Sequence, residues 1–425
     1  MEKEILRQIV YRQKNQISNL NKENYVEREI LKQIITFLND DRILILTGIR
    51  RSGKSTILKL IMAHLKENLS YCYVNFEDER FINFKAEEFE LLNEVLIEVY
   101  GNSNYYFFDE IQNIEKFELF IRRLQDENKK IIITGSNASL LSKELGTRLT
   151  GRYKLFEIYP FSFIEFLRYN NFKIFPKNEQ LYNIEKKVQL QKLFQEYMIF
   201  GGFPEYLKNK DKDYIKTLFE NILYRDIIVR YSLKKEKILK DLINILSTNV
   251  SSLITYNSLK ETLNLANAIS VKEYINYLSN SYLFFEVLKF SFSLNKQLKN
   301  PRKIYLIDPS FIEIFGYNFS NNFGKIFENI IFLELKRQNK DLFYFSNKHE
   351  CDFVVKENKK ITNLIQVCYT LNEANKEREI NGLLEAMNFF NIEEGLIITL
   401  EQYDVLKINN KKIKIIPFIK WIFSN

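Results

Sequence analysis

The sequence predicts an α/β chain of several domains: a largely parallel sheet, then a helical region, then a second α/β domain. Three observations lead there. Between residues 41 and 160, short apolar runs alternate with amphipathic segments, the pattern of parallel strands joined by crossover helices. Residues 161–232 turn mainly helical, and from about 324 the mixed pattern returns. At 425 residues the chain exceeds one ordinary core, so two or three domains are expected.

Taken in order, residues 1–40 alternate charge with Ile, Leu and Val at helical spacing, as in REILKQIITFL, and read as a helical lead-in. In 41–232, RILILTG, YCYVNFE, YYFFDE, KIIITGS and KLFEIYP are candidate strands, with STILKLIMAHLKE and FELFIRRLQDE as helices between them. The helical part of this region is broken by GGFPEYL at 201–207. Residues 236–310 form a compact helical unit ending in short strands. In 320–425, KIFENIIFLELKRQ and INGLLEAMNFF read as helices, and LFYFS, CDFVVKE, LIQVCYT and GLIITL as strands.

Composition narrows the function classes. The balance of 62 Lys+Arg against 54 Asp+Glu gives +8, a mildly basic chain that suits nucleic acid without being diagnostic of it. Cys72, Cys351 and Cys368 are odd in number and lack a CxxC spacing, which argues against a disulfide framework or a zinc ribbon. Two histidines, His64 and His349, are too few for a His-rich metal site, and His64 reads as a packed or surface residue. The N-terminus is charged from residue 2, and no run approaches 18 uncharged apolar residues. A cytoplasmic protein without a membrane partner is expected.

Gly48-Ile49-Arg50-Arg51-Ser52-Gly53-Lys54-Ser55 satisfies GxxxxGK[ST], followed by Thr56, after an apolar strand and before a helix. Such a loop turns its backbone N–H groups toward phosphates. Lys54 reaches the β/γ-phosphates, the Ser55 hydroxyl ligates Mg²⁺, and the helix N-terminus favours negative charge. The bland alternative is a chance Gly-rich turn. Downstream, YYFFDEIQNI ends a strand in two carboxylates: Asp109 to complete the Mg²⁺ shell and Glu110 as general base toward water. In KIIITGSNAS, Ser136 or Asn137 is placed to contact the γ-phosphate or that water, although strands often end in such residues.

The order LTGIRRSGKST, FFDEIQNI, IIITGSNASLLS, LTGRY…YPFSFIEFL and GGFPEYL resembles a group of prokaryotic AAA-type ATPases with a C-terminal domain of unknown function. The resemblance runs from about residue 25 to 420. It implies ATP as nucleotide and an arginine that senses the γ-phosphate in cis or from a neighbouring subunit. Arg152 is the first candidate, beside Arg148, with Arg225 and Arg230 next; pairing with acidic residues is the structural alternative for each.

Residues 236–310 fit three helices and a hairpin and resemble winged helix-turn-helix domains, which dock their third helix in the DNA major groove. Asn257 or Ser258 caps the second helix and Ser270 the third. LFFEVLKF and KIYLID are the hairpin strands. Lys272, Lys296, Lys299, Arg302 and Lys303 are the candidate phosphate contacts. Such units also serve as protein-contact modules.

Finally, GKIFENIIFLEL…FYFSNKHECDFVVKE…LIQVCYTL resembles the core of restriction-endonuclease-like folds. Glu328 and Asp352 match the helix acid and the strand acid. The last motif reads Gln366-Val367-Cys368, with an amide for the metal-binding Glu and a thiol for the catalytic Lys, unless Lys336 or Lys356 substitutes. A degenerate nuclease fold used for binding or assembly is expected.

Together these readings describe a Mg·ATP-hydrolysing motor or switch, coupled to a DNA-binding winged helix and a degenerate nuclease-like domain. Double-stranded DNA and a homo-oligomer or protein partner are the expected partners. The alternatives are a nucleotide-gated DNA-binding scaffold with negligible turnover, or an ATP-dependent DNA nuclease.

Overall fold

A computed structural model describes residues 1–20, 25–65, 70–136, 151–174, 183–315 and 323–424. The chain forms two compact units, one of residues 1–161 with 280–282, the other of residues 162–279 with 283–425.

Unit 1 is built on five strands: β1 (Ile43–Thr47), β2 (Tyr71–Asn75), β3 (Tyr105–Asp109), β4 (Lys130–Gly135) and β5 (Tyr153–Glu157). They lie in the order β2-β3-β4-β1-β5, every pair parallel. All five residues of β1 are buried, as a parallel strand covered on both faces requires. Its side chains alternate between two cores: Ile43 and Ile45 face one, Leu44 and Leu46 the other. The first core packs the helices Lys3–Leu20, Phe89–Tyr100 and Phe117–Asp126, with Phe89 stacked on Phe120 at 4.5 Å. The second holds the helices Glu29–Thr36 and Lys54–Leu65.

The helical lead-in is therefore part of this sheet domain. Leu6, Ile9 and Val10 enter the first core, and the Gln13 amide exchanges hydrogen bonds with the Asn75 backbone (3.0 and 2.9 Å).

Unit 2 begins with helices Phe163–Tyr169, Ile184–Phe200, Pro204–Asn209 and Lys212–Asn221, the last running into π-helical Ile222–Val229. The GGFPEYL break has a physical cause. Gly201 ends its helix at φ +65°, and a Cβ there would lie 1.8 Å from Asp308 Oδ1, while Asp308 Oδ2 accepts from the Gly202 N–H at 2.8 Å. Pro204 then opens the next helix.

Next come helix Glu236–Thr248, β6 (Leu253–Ile254), helices Tyr256–Thr262 and Ala268–Asn280, β7 (Phe284–Lys289), a short helix Leu294–Lys299 and β8 (Arg302–Leu306). Both caps differ from expectation. The Thr255 side chain accepts from the Ser258 N–H, and Asn267 Oδ1 accepts from the Ser270 N–H. In each case the capping oxygen sits before the first helical turn.

The remainder carries helix Pro309–Phe315, helix Phe323–Arg337, β9 (Asp341–Ser346), β10 (Glu350–Glu357), β11 (Lys360–Val367), helix Lys376–Phe390, β12 (Glu394–Thr399), β13 (Asp404–Ile408), β14 (Lys411–Pro417) and helix Phe418–Ser424. The β13–β14 hairpin is not among the expected elements. The signal passed over was Lys412-Ile413-Lys414-Ile415 after Asn409-Asn410, which turn the chain at φ 48° and 62°; β13 itself has no buried residue.

Strands from both expected C-terminal domains join one nine-stranded sheet, β13-β14-β12-β11-β10-β9-β7-β8-β6. The link is the parallel pairing of β7 with β9. The expected separation of 236–310 from 320–425 is thus not a sheet boundary, and residues 162–232 group with this unit as well.

Candidate functional site

In unit 1, residues 48–53 connect the C-terminal end of β1 to the Lys54–Leu65 helix. Gly48 has φ +150°, and a Cβ there would lie 2.1 Å from the Ile158 carbonyl oxygen, so only glycine fits. Arg51 also takes a left-handed φ of 65°, which turns the loop back on itself. Ile49 and Ser52 are buried, and Thr56 is half-buried on the first turn of the helix. The Lys54 side chain folds over the loop. Its Nζ donates to the carbonyls of Gly48 (3.0 Å) and Ile49 (3.1 Å) and stands 3.6 Å from Glu110 Oε1.

The strand order decides what lies beside the loop. β4 separates β1 from β3, and the registers Leu46↔Thr134 and Phe108↔Ile133 bring Thr134 level with Asp109. Thr134 Oγ1 accepts from the Glu110 N–H at 2.9 Å and donates to Asp109 Oδ1. Asp109 Oδ2 accepts from the Tyr73 hydroxyl at 3.2 Å, and Ser55 favours the ionised form of the same carboxylate. Glu110 sits at φ 52°, with its Oε2 accepting from Gln112 Nε2 at 2.5 Å.

The two carboxylates are tuned apart. Burial, then the neighbouring Glu110, pushes Asp109 above the ordinary carboxylate range against Thr134, Ser55 and Lys54. Burial also pushes Glu110 up, but Lys54, Arg50 and Gln112 together bring it below that range. Glu110 is therefore the more readily ionised of the two.

Two participants lacked a sequence signal. Thr134 lies two residues before Ser136, and the sheet order rather than the motif picks it out. Arg28, in the charged lead-in, is only 4% exposed. Its guanidinium donates to the Ser52 carbonyl (3.0 Å) and the Tyr159 carbonyl (2.7 Å) and lies 5.1 Å from the Phe161 ring centroid. It clamps the loop to the segment after β5.

Other expected residues fall differently. Arg50 pairs with Glu77 at 2.8 Å. Ser136 is buried beyond the end of β4, while Asn137 and Arg148 lie outside the described residues. Arg152 is corrected as an intrachain γ-phosphate sensor. It precedes β5, its carbonyl accepts from the N–H of Ile43 at the start of β1 (2.9 Å), and its side chain pairs with exposed Asp126 at 2.7 Å. The loop follows Thr47 at the opposite edge of the sheet, roughly 13 Å away at 3.3 Å per residue. Arg225 and Arg230 belong to unit 2.

Residues 40–167 match an AAA domain family and residues 191–315 a domain of unknown function, DUF8612. Uncharacterized protein MJ1544 of Methanocaldococcus jannaschii is 37% identical over 421 residues, covering 94% of this chain and 91% of the relative. The chain belongs to the family of this archaeal protein. An uncharacterized protein of Haemophilus influenzae is a further relative, 29% identical over 425 residues, covering 95% and 99% of the two chains. A Saccharomyces cerevisiae Hsp104:casein complex aligns at 14% identity and TM-score 0.34, covering 68% of this chain and 61% of that one, a likeness too low to carry an argument. In this family member, residues 40–167 are an AAA-type P-loop domain. The DUF8612 match runs across the boundary expected at 232–236, in agreement with the grouping of those helices in unit 2.

Unit 2 holds a cavity of about 720 Å³, lined among others by Glu328, Glu350, Asp352 and Gln366. At its base lies Lys303, 1% exposed, with Nζ 2.7 Å from Asp352 Oδ1, 2.7 Å from Glu350 Oε1 and 3.1 Å from Glu328 Oε1. Lys303 is thus corrected from a phosphate contact to a buried cation. Arg302 is corrected too: it is 5% exposed, 3.3 Å from Glu286, donates to the Leu298 carbonyl at 2.9 Å and lies 4.1 Å from the Tyr256 ring centroid. All five residues of β8 are buried, because the strand lies between β6 and β7 with both faces covered. Lys272, Lys296 and Lys299 are exposed.

Around Asp352 the polar groups are mutually satisfied. Asp352 Oδ2 accepts from the Val367 N–H (2.8 Å), Gln366 Oε1 from the Asp352 N–H (3.2 Å), and Gln366 donates to Glu379 at 2.6 Å. Burial, then Glu379, pushes the Cys368 thiol up to about 12, so it carries no charge. Neither Lys336 nor Lys356 lines the cavity. Among the described residues, no group of three or more His, Cys, Asp or Glu is placed to hold a metal ion. Among them, too, no helix is long and apolar enough to cross a membrane.

Proposed function

We propose that unit 1 binds Mg·ATP and hydrolyses it, and that the protein works as a nucleotide-driven switch. The observation that carries this reading is the convergence of Lys54, Ser55, Asp109, Thr134 and Glu110 beside one glycine-containing loop at a helix N-terminus. The loop N–H groups and Lys54 take the phosphates. Ser55 and Asp109 fit a hard divalent cation, because both offer oxygen and Ser55 acts on the Asp109 carboxylate. Magnesium, when bound, neutralises charge on the transferring phosphoryl group. Ionised Glu110 accepts a proton from water as the water oxygen bonds the γ-phosphorus and the bond to ADP oxygen breaks. Thr134 holds the Asp109 carboxylate and the Glu110 backbone at once.

The output reading is contact of unit 2 with double-stranded DNA. What supports it is the helix–strand–helix–helix–hairpin order of residues 236–306, as in a winged helix, with Lys272, Lys296 and Lys299 exposed. Three lysines in place of five residues lower the expected salt dependence accordingly.

One experiment addresses both. ATP turnover of wild type, Lys54→Ala and Glu110→Gln is measured with and without duplex DNA at several salt concentrations. Lys54→Ala is expected to lose nucleotide binding. Glu110→Gln is expected to keep ATP bound while turnover drops about 10²–10⁴-fold. DNA stimulation that fades with salt supports the output reading. Unchanged turnover in Glu110→Gln would sink the hydrolytic assignment, and turnover indifferent to DNA would sink the DNA one.

A further inference from the structure

The fold family that the C-terminal motifs resemble uses a divalent cation between its helix acid and strand acid. The residues present here do not fit one. We propose that the Lys303 ammonium is this chain's built-in replacement for that cation, and that Glu328, Glu350, Asp352 and Lys303 form a closed ion cluster fastening β8 to β10 and to the Phe323–Arg337 helix.

The geometry carries the argument. An ammonium has three N–H donors, and here all three have a carboxylate within 3.1 Å. Two of the carboxylates have further partners: Glu328 Oε1 also accepts from the Tyr305 hydroxyl at 2.6 Å, and Asp352 Oδ2 is held by the Val367 N–H. A divalent cation needs several oxygens at about 2.0–2.6 Å, and its charge beside a buried ammonium is strongly repelled. To enter from the cavity, it must expel an ammonium that is itself 1% exposed and bonded to three carboxyl groups. Burial would pull Lys303 down, yet Asp352, Glu328, Tyr305 and Glu350 hold it well above its ordinary value, so it stays charged. Burial pushes the Glu328 carboxyl up, and the Lys303 charge is the largest effect opposing it.

The cluster also ties together strands that are not neighbours in the sheet. β9 and β7 lie between β10 and β8 in the strand order, yet Lys303 reaches Asp352, and the Tyr305 ring centroid is 5.7 Å from that of Phe353. The sheet must curl for these strands to meet, and the ammonium bridges the gap. The sequence hid this because the lysine comes from β8, in the preceding hairpin, and not from β11, where Cys368 follows.

The test uses the full chain without nucleotide, with Asp109→Asn in every arm so that the loop contributes no metal site. Mn²⁺ binding is followed by electron paramagnetic resonance, and the stability of unit 2 by the fluorescence of Trp421. With Lys303 present, no Mn²⁺ binding tighter than about 1 mM is expected, and Mn²⁺ leaves the melting temperature unchanged. Lys303→Met is expected to melt lower, to bind about one Mn²⁺ per chain at least tenfold more tightly, and to regain several degrees on binding. Adding Asp352→Asn should erase that gain. Mn²⁺ bound in the presence of Lys303 and lost on Asp352→Asn or Glu328→Gln would overturn the proposal. So would a folded Lys303→Met chain that takes up no Mn²⁺. If Lys303→Met does not fold, the arms that retain Lys303 decide alone.

Discussion

Replacing Thr134 by Val removes one hydroxyl from a fully buried site and leaves the side-chain volume almost unchanged. Two interactions vanish together: the Glu110 N–H loses its acceptor at 2.9 Å, and Asp109 Oδ1 loses a donor. An orphaned buried N–H costs about 1–3 kcal/mol, and a lost hydrogen bond to a charged group about 1.5–3 kcal/mol. Unit 1 is therefore expected to lose about 3 kcal/mol. The Asp109 carboxylate and the Glu110 backbone also lose the group that positions them, which at comparable supporting residues lowers activity about 10–100-fold. The assay pairs ATP turnover with urea unfolding. The single tryptophan, Trp421, lies in unit 2, so far-UV dichroism that unfolds without a fluorescence change reports unit 1. Thr134→Ser, which keeps the hydroxyl, should restore most of the turnover. Wild-type turnover and stability in Thr134→Val, alongside a defect in Ser136→Ala, would refute the reasoning and return the role to the residue the motif suggests.

Two further outcomes are expected. Arg28→Ala removes a buried fork bonded to the Ser52 and Tyr159 carbonyls, and should weaken a fluorescent ATP analogue about tenfold, roughly 1.4 kcal/mol. Arg28→Lys should recover little, since an ammonium lacks the planar fork. Asp308 is a pH probe for unit 2: burial raises its carboxyl to about 6, against Ser310 and Gly202. Because the folded value lies above the ordinary one, the contribution of this group is complete below about pH 4 and is lost as pH rises through 6. Over that window it amounts to roughly 3 kcal/mol. Urea midpoints from Trp421 fluorescence between pH 4 and 6.5 should fall less steeply in Asp308→Asn than in wild type. Parallel curves would exclude Asp308 as the titrating group.

What the sequence determined by itself was local. The loop from Gly48 to Ser55, the apolar run of β1 and the Asp109-Glu110 pair were legible because each depends on contiguous residues: backbone freedom at glycine, burial on both faces, carboxylates at a strand end. The alternation that marks β7, β10 and β12 is equally short in range. Tertiary structure decided whatever depends on which strands become neighbours. Thr134 joins the site because β4 lies between β1 and β3, and Arg152 leaves it because parallel pairing puts its end of β5 beside the start of β1. Lys303 and Asp352 stand 49 positions apart, and only the joining of both regions in one nine-stranded sheet turns a basic residue of the hairpin into the counter-ion of this acidic cluster. A side chain's type is written in the sequence, but the partner that fixes its charge and role is set by distance in space, which local pattern does not encode.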